Sequence, residues 1–208
     1  MTVRPGKPGI RAVIFDFGGV ISSFDVGIFF RNILGRTGTS AEDLGRLVLR
    51  SDLPRSYESG EITSRQFYEG MTHLCGLEIT EEEFVSAFVS IFTPIEPTIR
   101  LIRGLSRSYR LGLLSNTNEW HFEHHIRGVE VFPLFDAVTL SFRVKAMKPA
   151  EGIYRDSLGK IGLSPEECVF IDDLEENVEG ARRLRMHAIR YADHESLLAS
   201  LADLGVVA

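Results

Sequence analysis

Short apolar runs, each followed by small or acidic residues, recur along the chain. The first run covers residues 12–17 and carries a single charge, Asp16, with Gly18 and Gly19 directly after it. A continuous apolar run of this length is typical of a parallel strand that is buried on both faces of a sheet. Similar runs predict four more strands, at 111–114, 137–141, 168–171 and 187–191.

Helical patterns separate these runs, at about 98–108, 150–162 and 175–184. Strands that alternate with helices form a parallel sheet whose two faces are both covered by helices. The sequence therefore predicts an α/β fold, a Rossmann-like three-layer arrangement around a mostly parallel sheet.

The pattern changes between residues 22 and 97, where apolar residues recur at helical spacing. We expect a small helical domain at 23–96, inserted after the first strand into a core domain of residues 10–22 and 97–208. The alternative is that this segment extends the main helix layer. An insertion at this point should cover the carboxyl edge of the sheet, where open α/β folds bind ligands. Five phenylalanines are expected to form its core or partly an interface: Phe29, Phe30, Phe84, Phe88 and Phe92.

Composition and charge narrow the functional classes. The chain has 208 residues and a formal net charge of −6, which argues against a general electrostatic attraction to nucleic acid. Cys75 and Cys168 have no metal-ligand spacing, so we expect a reduced, cytoplasmic protein. No segment reaches the roughly 18 apolar residues of a membrane span. We therefore expect neither nucleic acid nor a membrane as a partner, and both a monomer and a homodimer stay open.

Two segments receive no function from their sequence. Residues 1–9 contain two Pro and two Gly, which predicts an arm without regular structure. A basic cluster falls within a helical pattern and is interpreted as a solvated helix face: Arg182, Arg183 and Arg185.

Polar residues follow the predicted strands at four places. The carboxyl ends of parallel strands lie along one edge of a sheet, so we expect these residues to converge on one pocket. The four places are Asp16 with Gly18 and Gly19, Ser115 with Asn116, Lys148 with Pro149, and Asp172 with Asp173.

The three carboxylates predict a cation. Asp16, Asp172 and Asp173 would repel one another in a buried pocket unless a positive ion lies between them. Oxygen ligands of this kind suit Mg²⁺, which commonly binds one or two carboxylates together with a substrate phosphate. The alternative for Asp173 is favourable interaction with the N-terminus of the helix predicted at 175–184, which does not explain Asp16.

The other strand-end residues predict an anion site. Ser115 and Asn116 offer a hydroxyl, an amide and backbone N–H groups that can bind a phosphate, although simple helix capping is an alternative. Lys148 precedes Pro149, which is able to begin the next helix, and its charge can neutralise the phosphate. Lys145 is the competing lysine.

Four motifs in this order resemble the haloacid dehalogenase-like superfamily: VIFDFGGV at 13–20, LGLLSNTN at 111–118, MKP at 147–149 and VFIDDLEENVEGA at 169–181. The resemblance implies that the insertion is a helical cap and that Asp16 is a nucleophile forming an aspartyl-phosphate. It further implies that Ser115, Asn116 and Lys148 bind the phosphate, with Ser115 and Lys148 also catalytic. Mg²⁺ would be bound by Asp16, the Gly18 carbonyl, Asp172 and Asp173, with support from Asn177.

Three shorter stretches resemble the bacterial branch that acts on α-glucose-1-phosphate: ESGEIT at 58–63, SNTNEWH at 115–121 and KPAEGIY at 148–154. They imply a sugar phosphate as substrate. The sequence thus predicts a magnesium-dependent phosphatase for a small phosphorylated metabolite. The alternatives are a dehalogenase, which uses the same nucleophile without a cation, and a phospholigand-binding module with weakened catalysis.

One position departs from the pattern of the superfamily. Most of its phosphatases carry a second Asp two residues after the nucleophile as general acid and base, and here that residue is Gly18. General acid–base catalysis contributes about 10²- to 10⁴-fold to a rate, so its loss predicts a preference for esters with good leaving groups. The candidate substitutes are Asp25, His121, His124 and His125, of which the histidines are otherwise interpreted as an exposed helix face.

Overall fold

The computed structural model describes residues 9–207, so the arm predicted at 1–9 lies almost wholly outside the described residues. Seven strands occur in the described part of the chain. They are β1 (Ala12–Phe15), β2 (Ser22–Phe24), β3 (Phe92–Pro94), β4 (Arg110–Ser115), β5 (Ala137–Leu140), β6 (Cys168–Asp172) and β7 (His187–Arg190).

The α-helices of the same residues fall into two groups. Five lie between β2 and β3: α1 (Val26–Ile33), α2 (Ala41–Arg50), α3 (Leu53–Glu58), α4 (Ser64–Cys75) and α5 (Glu81–Val89). The others follow β3: α6 (Glu96–Leu105), α7 (Glu119–His124), α8 (Ser141–Val144), α9 (Glu151–Ile161), α10 (Glu175–Arg183) and α11 (His194–Asp203).

Five of the strands form one parallel sheet in the order β5-β4-β1-β6-β7. Residues that alternate along the strands pack to opposite faces: Phe15 belongs to a core with α6 and α11, and Ile14 to a core with α9 and α10. Both faces of the strands are therefore apolar, which is why each strand is a continuous apolar run. The predicted α/β fold and its five parallel strands are confirmed.

The central position of β1 brings the predicted site together. Phe15 lies opposite Leu113 of β4 on one side and Ile171 of β6 on the other. The residues after these three, Asp16, Leu114 and Asp172, consequently share the carboxyl edge of the sheet. The first strand is shorter than the predicted 12–17, because the chain turns immediately after Asp16.

The segment between β2 and β3 is helical, as predicted, and has its own apolar core. Phe29 and Phe84 are buried in that core, together with Trp120 of α7. Phe30, Phe88 and Phe92 are partly buried against it. An antiparallel pair, β2 with β3, joins the segment to the sheet and was not predicted, because three residues of mixed polarity leave no period to recognise. The domain limits at 23–96 stay a prediction.

Three smaller predictions can be compared with the structure. Pro149 does not begin a helix, because α9 starts at Glu151 with Ala150 as its N-cap. Cys75 and Cys168 are both buried and unpaired. In residues 9–207, every helix is too short or too polar to cross a membrane.

Candidate active site

An ammonium group between two carboxylates is the centre of the strand-end pocket. Lys148 Nζ lies 2.7 Å from Asp16 Oδ1 and 2.6 Å from Asp172 Oδ2. Its third contact is the Leu114 carbonyl oxygen at 3.2 Å. The Lys148 side chain is 1% exposed and that of Asp172 is fully buried, so these charges interact with little screening by water.

The loop that carries Lys148 is held by Asn116. The Asn116 side chain accepts from the Lys148 backbone N–H at 2.8 Å and donates to the Lys148 carbonyl at 3.1 Å. The Asn116 amide side chain is thus engaged with this loop. Ser115 is buried at the end of β4, and its hydroxyl has a long contact of 3.4 Å to the Asn116 carbonyl. Lys145, the competing lysine, is exposed at the end of α8.

The carboxylates of Asp16, Asp172 and Asp173 each place an oxygen within 4.8 Å of the others. Three carboxylates against one lysine leave two negative charges in excess, which is the charge of one divalent cation. Hard oxygen donors at this spacing fit Mg²⁺. Asn177 supports the group, because its Nδ2 donates to both oxygens of Asp172 at 3.0 and 3.1 Å.

The absence of a side chain at residue 19 makes room for the third carboxylate. Gly19 has a positive φ of 76°, and a Cβ there would overlap the Asp173 carboxylate. A glycine is therefore required on both conformational and steric grounds. Gly18 is half-buried beside it and lines a neighbouring cavity; the predicted role of its carbonyl as a metal ligand stays a prediction.

The protonation of the central groups follows from burial and mutual charge. Burial acts to lower the pKa of Lys148, but Asp16 and Asp172 together hold it above the ordinary value of a lysine. Burial raises the pKa of Asp16 well above the usual range of a carboxyl, against the opposing effect of Lys148. Burial and the charge of Asp172 also raise the pKa of Asp173. A cation among these carboxylates would favour their ionised forms.

A cavity of about 140 Å³ opens from this edge toward the helical segment. Its walls are partly aromatic, and its polar lining comes from both the sheet edge and the helices. The lining residues include Gly18, Phe24, Glu58, Ser115, Thr117 and His121.

The side chains considered as substitutes for the missing acid either have other partners or lie outside the cavity. Asp25 is exposed, caps α1 through the Gly27 N–H at 2.8 Å and pairs with Arg31 at 3.0 Å. His124 is exposed, and His125 stacks on Phe92. Neither of these histidines lines the cavity described above.

His121 lines the cavity, but both of its ring nitrogens have partners. Its Nδ1 accepts from the Asn118 amide at 3.0 Å, and its Nε2 faces the Phe88 carbonyl at 3.3 Å. An amide nitrogen can only donate and a carbonyl can only accept, so the neutral tautomer protonated on Nε2 satisfies both contacts. Burial lowers the pKa of His121 to about 4, which is consistent with a neutral structural imidazole.

Two residues of the site were missed by the sequence reasoning. Glu58 comes from the helical segment, and Ser141 begins α8; the Ser141 hydroxyl accepts from the Thr117 N–H at 2.8 Å and donates to the Glu58 carbonyl at 2.6 Å. The stretch ESGEIT at 58–63 contributes only its resemblance to the α-glucose-1-phosphate branch. Nothing in their pattern indicated which side chain faces the pocket.

The model of the haloacid dehalogenase-like hydrolases matches residues 10–185, most of the chain. The chain belongs to this family. The superfamily resemblance drawn from the four motifs is thereby confirmed.

Relatives and solved structures extend this likeness. A D-ribitol-5-phosphate phosphatase from Bacteroides thetaiotaomicron is 28% identical over 186 residues, covering 84% of this chain and 88% of that protein. A sesquiterpene phosphatase from Aspergillus oryzae is 27% identical over 199 residues, covering 93% and 96%. The HAD family enzyme bt-2542 from B. thetaiotaomicron, solved with magnesium and inorganic phosphate, superposes with a TM-score of 0.79 at 24% identity, covering 88% and 95%. This last likeness shows the shared fold.

Proposed function

We propose that this chain is a magnesium-dependent phosphatase that transfers the phosphoryl group of a small phosphorylated metabolite to Asp16 and then to water. The observation that carries the proposal is the Lys148 ammonium between Asp16 and Asp172, with Asp173 within reach, at the carboxyl edge of the sheet. Positive charge placed there stabilises the negative charge on the phosphoryl oxygens in the transition state.

The hydrogen bonds of Asp16 orient it for attack. Its Oδ1 accepts from the Phe17 N–H at 2.7 Å and from Lys148 at 2.7 Å. Both contacts fall on one oxygen, which leaves Oδ2 as the atom with lone pairs available to phosphorus. Attack forms the aspartyl-phosphate, an acyl phosphate, and releases the alcohol. Water then attacks phosphorus and breaks the bond to the Asp16 oxygen, which regenerates the carboxylate and gives inorganic phosphate.

The remaining site residues bind and position. The Ser115 hydroxyl has only its long contact to the Asn116 carbonyl in the described residues, so it is available to a phosphate oxygen. Asn116 positions Lys148 and offers its own backbone N–H. Lys148 supplies charge, and a phosphate oxygen would compete with the Leu114 carbonyl for its third hydrogen.

The metal-binding residues form a separate part of the proposal. Asp16, the Gly18 carbonyl, Asp172 and Asp173 would hold Mg²⁺, with Asn177 keeping Asp172 oriented. When bound, the ion supplies charge that offsets the repulsion between the Asp16 carboxylate and the phosphate dianion.

The substrate class rests on similarity. The relatives named above are phosphatases for a polyol phosphate and for sesquiterpene phosphates, and the shorter motifs resemble the α-glucose-1-phosphate branch. A sugar or polyol phosphate is therefore the first class to test. The alternative dehalogenase would not need the three carboxylates, and a binding module would not need the nucleophile. A cytoplasmic location, and a monomer or homodimer without nucleic acid or membrane partners, stay predictions.

The test is phosphate release from α-glucose-1-phosphate, ribitol-5-phosphate and one aryl phosphate, with Mg²⁺ and with a chelator. We expect release that requires Mg²⁺ and is lost in Asp16→Asn. Asp25→Asn is the matched control, because Asp25 is an exposed aspartate engaged with Arg31, and it should keep its activity. Release that continues without metal, or that survives Asp16→Asn, would contradict the proposal. No release from any substrate would favour the binding module.

A further inference from the structure

A side chain at the position of the usual acid would lie in tight contact with an aromatic ring. A Cβ built on Gly18 would lie 3.2 Å from the Phe24 ring, and Gly18 itself offers no side chain to the substrate. Of the other candidates, Asp25 and His121 have other partners, and His124 and His125 do not line the cavity. An alkoxide leaving group therefore needs a proton from another part of the cavity wall.

Glu58 is the carboxyl group in that wall. It is the last residue of α3 and lines the cavity together with Gly18, Ser115 and His121. Its side chain is partly buried, and in the described residues its carboxylate accepts no hydrogen bond and forms no ion pair. A carboxyl group without a structural partner, facing a reaction pocket, is available to exchange a proton with a substrate.

Hydrogen bonds and close packing hold the backbone around Glu58 against the sheet side of the pocket. The Glu58 carbonyl accepts from Ser141 Oγ at 2.6 Å. Two residues later, Gly60 has a φ of 71° and packs so closely that a Cβ would overlap the Phe142 carbonyl oxygen. The Tyr57 hydroxyl accepts from the Trp120 N–H at 3.1 Å. These contacts hold the Glu58 backbone at a fixed place over the site, as a catalytic group requires.

The charges around Glu58 allow it to exchange a proton near neutral pH. Burial raises the pKa of Glu58 to about 7, and the nearby charge of Lys148 acts to lower it. His121, on α7, is neutral for the reason given above. On the packed helices, the exposed Arg143 of α8 pairs with Glu123, and the exposed Arg65 of α4 pairs with Glu69 and Glu81.

We propose that Glu58 is the general acid and base of the reaction, supplied by the helical segment in place of the acid that Gly18 lacks. The proposal rests on the phosphatase function proposed above. In the first half, Asp16 attacks phosphorus, the bond from phosphorus to the ester oxygen breaks, and the Glu58 carboxyl gives its proton to that oxygen. In the second half, the water oxygen attacks phosphorus while the Glu58 carboxylate takes a proton from that water. The bond between phosphorus and the Asp16 oxygen then breaks. Both groups return to their starting states.

The test compares leaving groups in Glu58→Gln, which keeps the shape of the side chain and removes its acid. An alkyl phosphate needs a proton on its leaving oxygen, so we expect kcat/KM to fall about 10²-fold or more. p-Nitrophenyl phosphate has a leaving group that departs without a proton, so its kcat/KM should change less than about tenfold. Because water activation is also impaired, this substrate should give a burst of nitrophenol equal to the enzyme concentration.

Two controls keep the result interpretable. Glu61→Gln changes an exposed glutamate of the same loop and should leave both substrates unaffected. Retained turnover of the aryl ester by Glu58→Gln shows that the variant is folded. An equal loss on both esters, or no loss on the alkyl ester, would overturn the role of Glu58. A wild-type protein that releases no phosphate with Mg²⁺ would instead overturn the phosphatase function.

A second variant restores an acid at the position usual in the superfamily. Adding Gly18→Asp to Glu58→Gln places a Cβ 3.2 Å from the ring of Phe24, a residue that is 53% exposed and therefore able to move. We expect kcat/KM for the alkyl ester to recover at least about tenfold, since one positioned acid replaces another. Recovery supports an acid–base defect. Failure to recover, together with an equal loss on both esters in the single variant, would assign Glu58 a structural role.

Discussion

Replacing Lys148 by Met tests whether this lysine compensates the buried carboxylates. Methionine has a similar length and flexibility but no charge, so the pocket stays filled. Asp16 and Asp172 would then face each other without the ammonium that now lies 2.7 and 2.6 Å from them. Removing one partner of a buried ion pair costs about 3–5 kcal/mol, because the charge left behind is uncompensated.

The distances between the carboxylates give an independent value for their repulsion. Carboxylate oxygens of Asp16, Asp172 and Asp173 lie within 4.8 Å of one another. At an effective dielectric constant of 20, two such charges repel by about 3.5 kcal/mol. We therefore expect Lys148→Met to lower the free energy of unfolding by about 3–5 kcal/mol at pH 8 with a chelator present.

The assay is urea unfolding followed by circular dichroism, with Lys160→Met as the matched control. Lys160 also forms a pair with an aspartate, Asp156 at 2.6 Å, but both side chains are substantially exposed. Such a surface pair contributes about 0–1 kcal/mol. Added Mg²⁺ should restore part of the stability of Lys148→Met, by about 2.7 kcal/mol at a hundred times its Kd.

The pH dependence follows from the direction of the carboxyl shift. The pKa of Asp16 is raised in the folded protein, so the folded state holds a proton that the unfolded state has already released. Stability is then lost as pH rises through the window between the ordinary and the raised pKa. Lys148 acts to lower the pKa of Asp16, so removing Lys148 extends this window to higher pH. The loss of stability in Lys148→Met relative to the wild type should therefore shrink when pH is lowered from 8 to 5. A loss as small as that of Lys160→Met, or a deficit that grows on acidification, would refute this reasoning.

Two further predictions concern the candidate metal-binding carboxylates and are tested by isothermal titration calorimetry with Mg²⁺. Asn177→Ala removes both amide contacts to Asp172 and should weaken Mg²⁺ binding about 10- to 100-fold, as loss of a supporting hydrogen bond typically does; unchanged affinity would contradict that support. Gly19→Ala forces a side chain at positive φ against Asp173 and should weaken Mg²⁺ binding while destabilising the fold by about 1–3 kcal/mol; a variant as stable and as tight as wild type would show that Asp173 has room to move.

The sequence was informative where strands end. Asp16 and Asp172 follow or close buried apolar runs, so a parallel sheet necessarily brings them to one edge, and the structure joins them through Lys148. The sheet itself was predictable for the same reason, because buried strands show as uninterrupted apolar runs.

The sequence was uninformative where a side chain reaches the site from the helical segment. Glu58 faces the pocket because a hydrogen bond from Ser141 and the close packing of Gly60 hold its backbone against the sheet side. These are tertiary contacts, which a local sequence pattern does not encode. Asp25 was a reasonable candidate by position, but helix capping and Arg31 engage it. His121 likewise became a structural residue through Asn118 and the Phe88 carbonyl.

The most direct test of the central claim is mass spectrometry of the protein quenched in acid during turnover of a substrate with Mg²⁺. Acid preserves an acyl phosphate long enough for digestion and peptide mapping. We predict one phosphoryl group, located on Asp16, that appears with substrate, disappears when substrate is exhausted and is absent from Asp16→Asn. Steady phosphate release with Asp16 unmodified, or with the phosphoryl group on another residue, would contradict the assignment of Asp16 as the nucleophile.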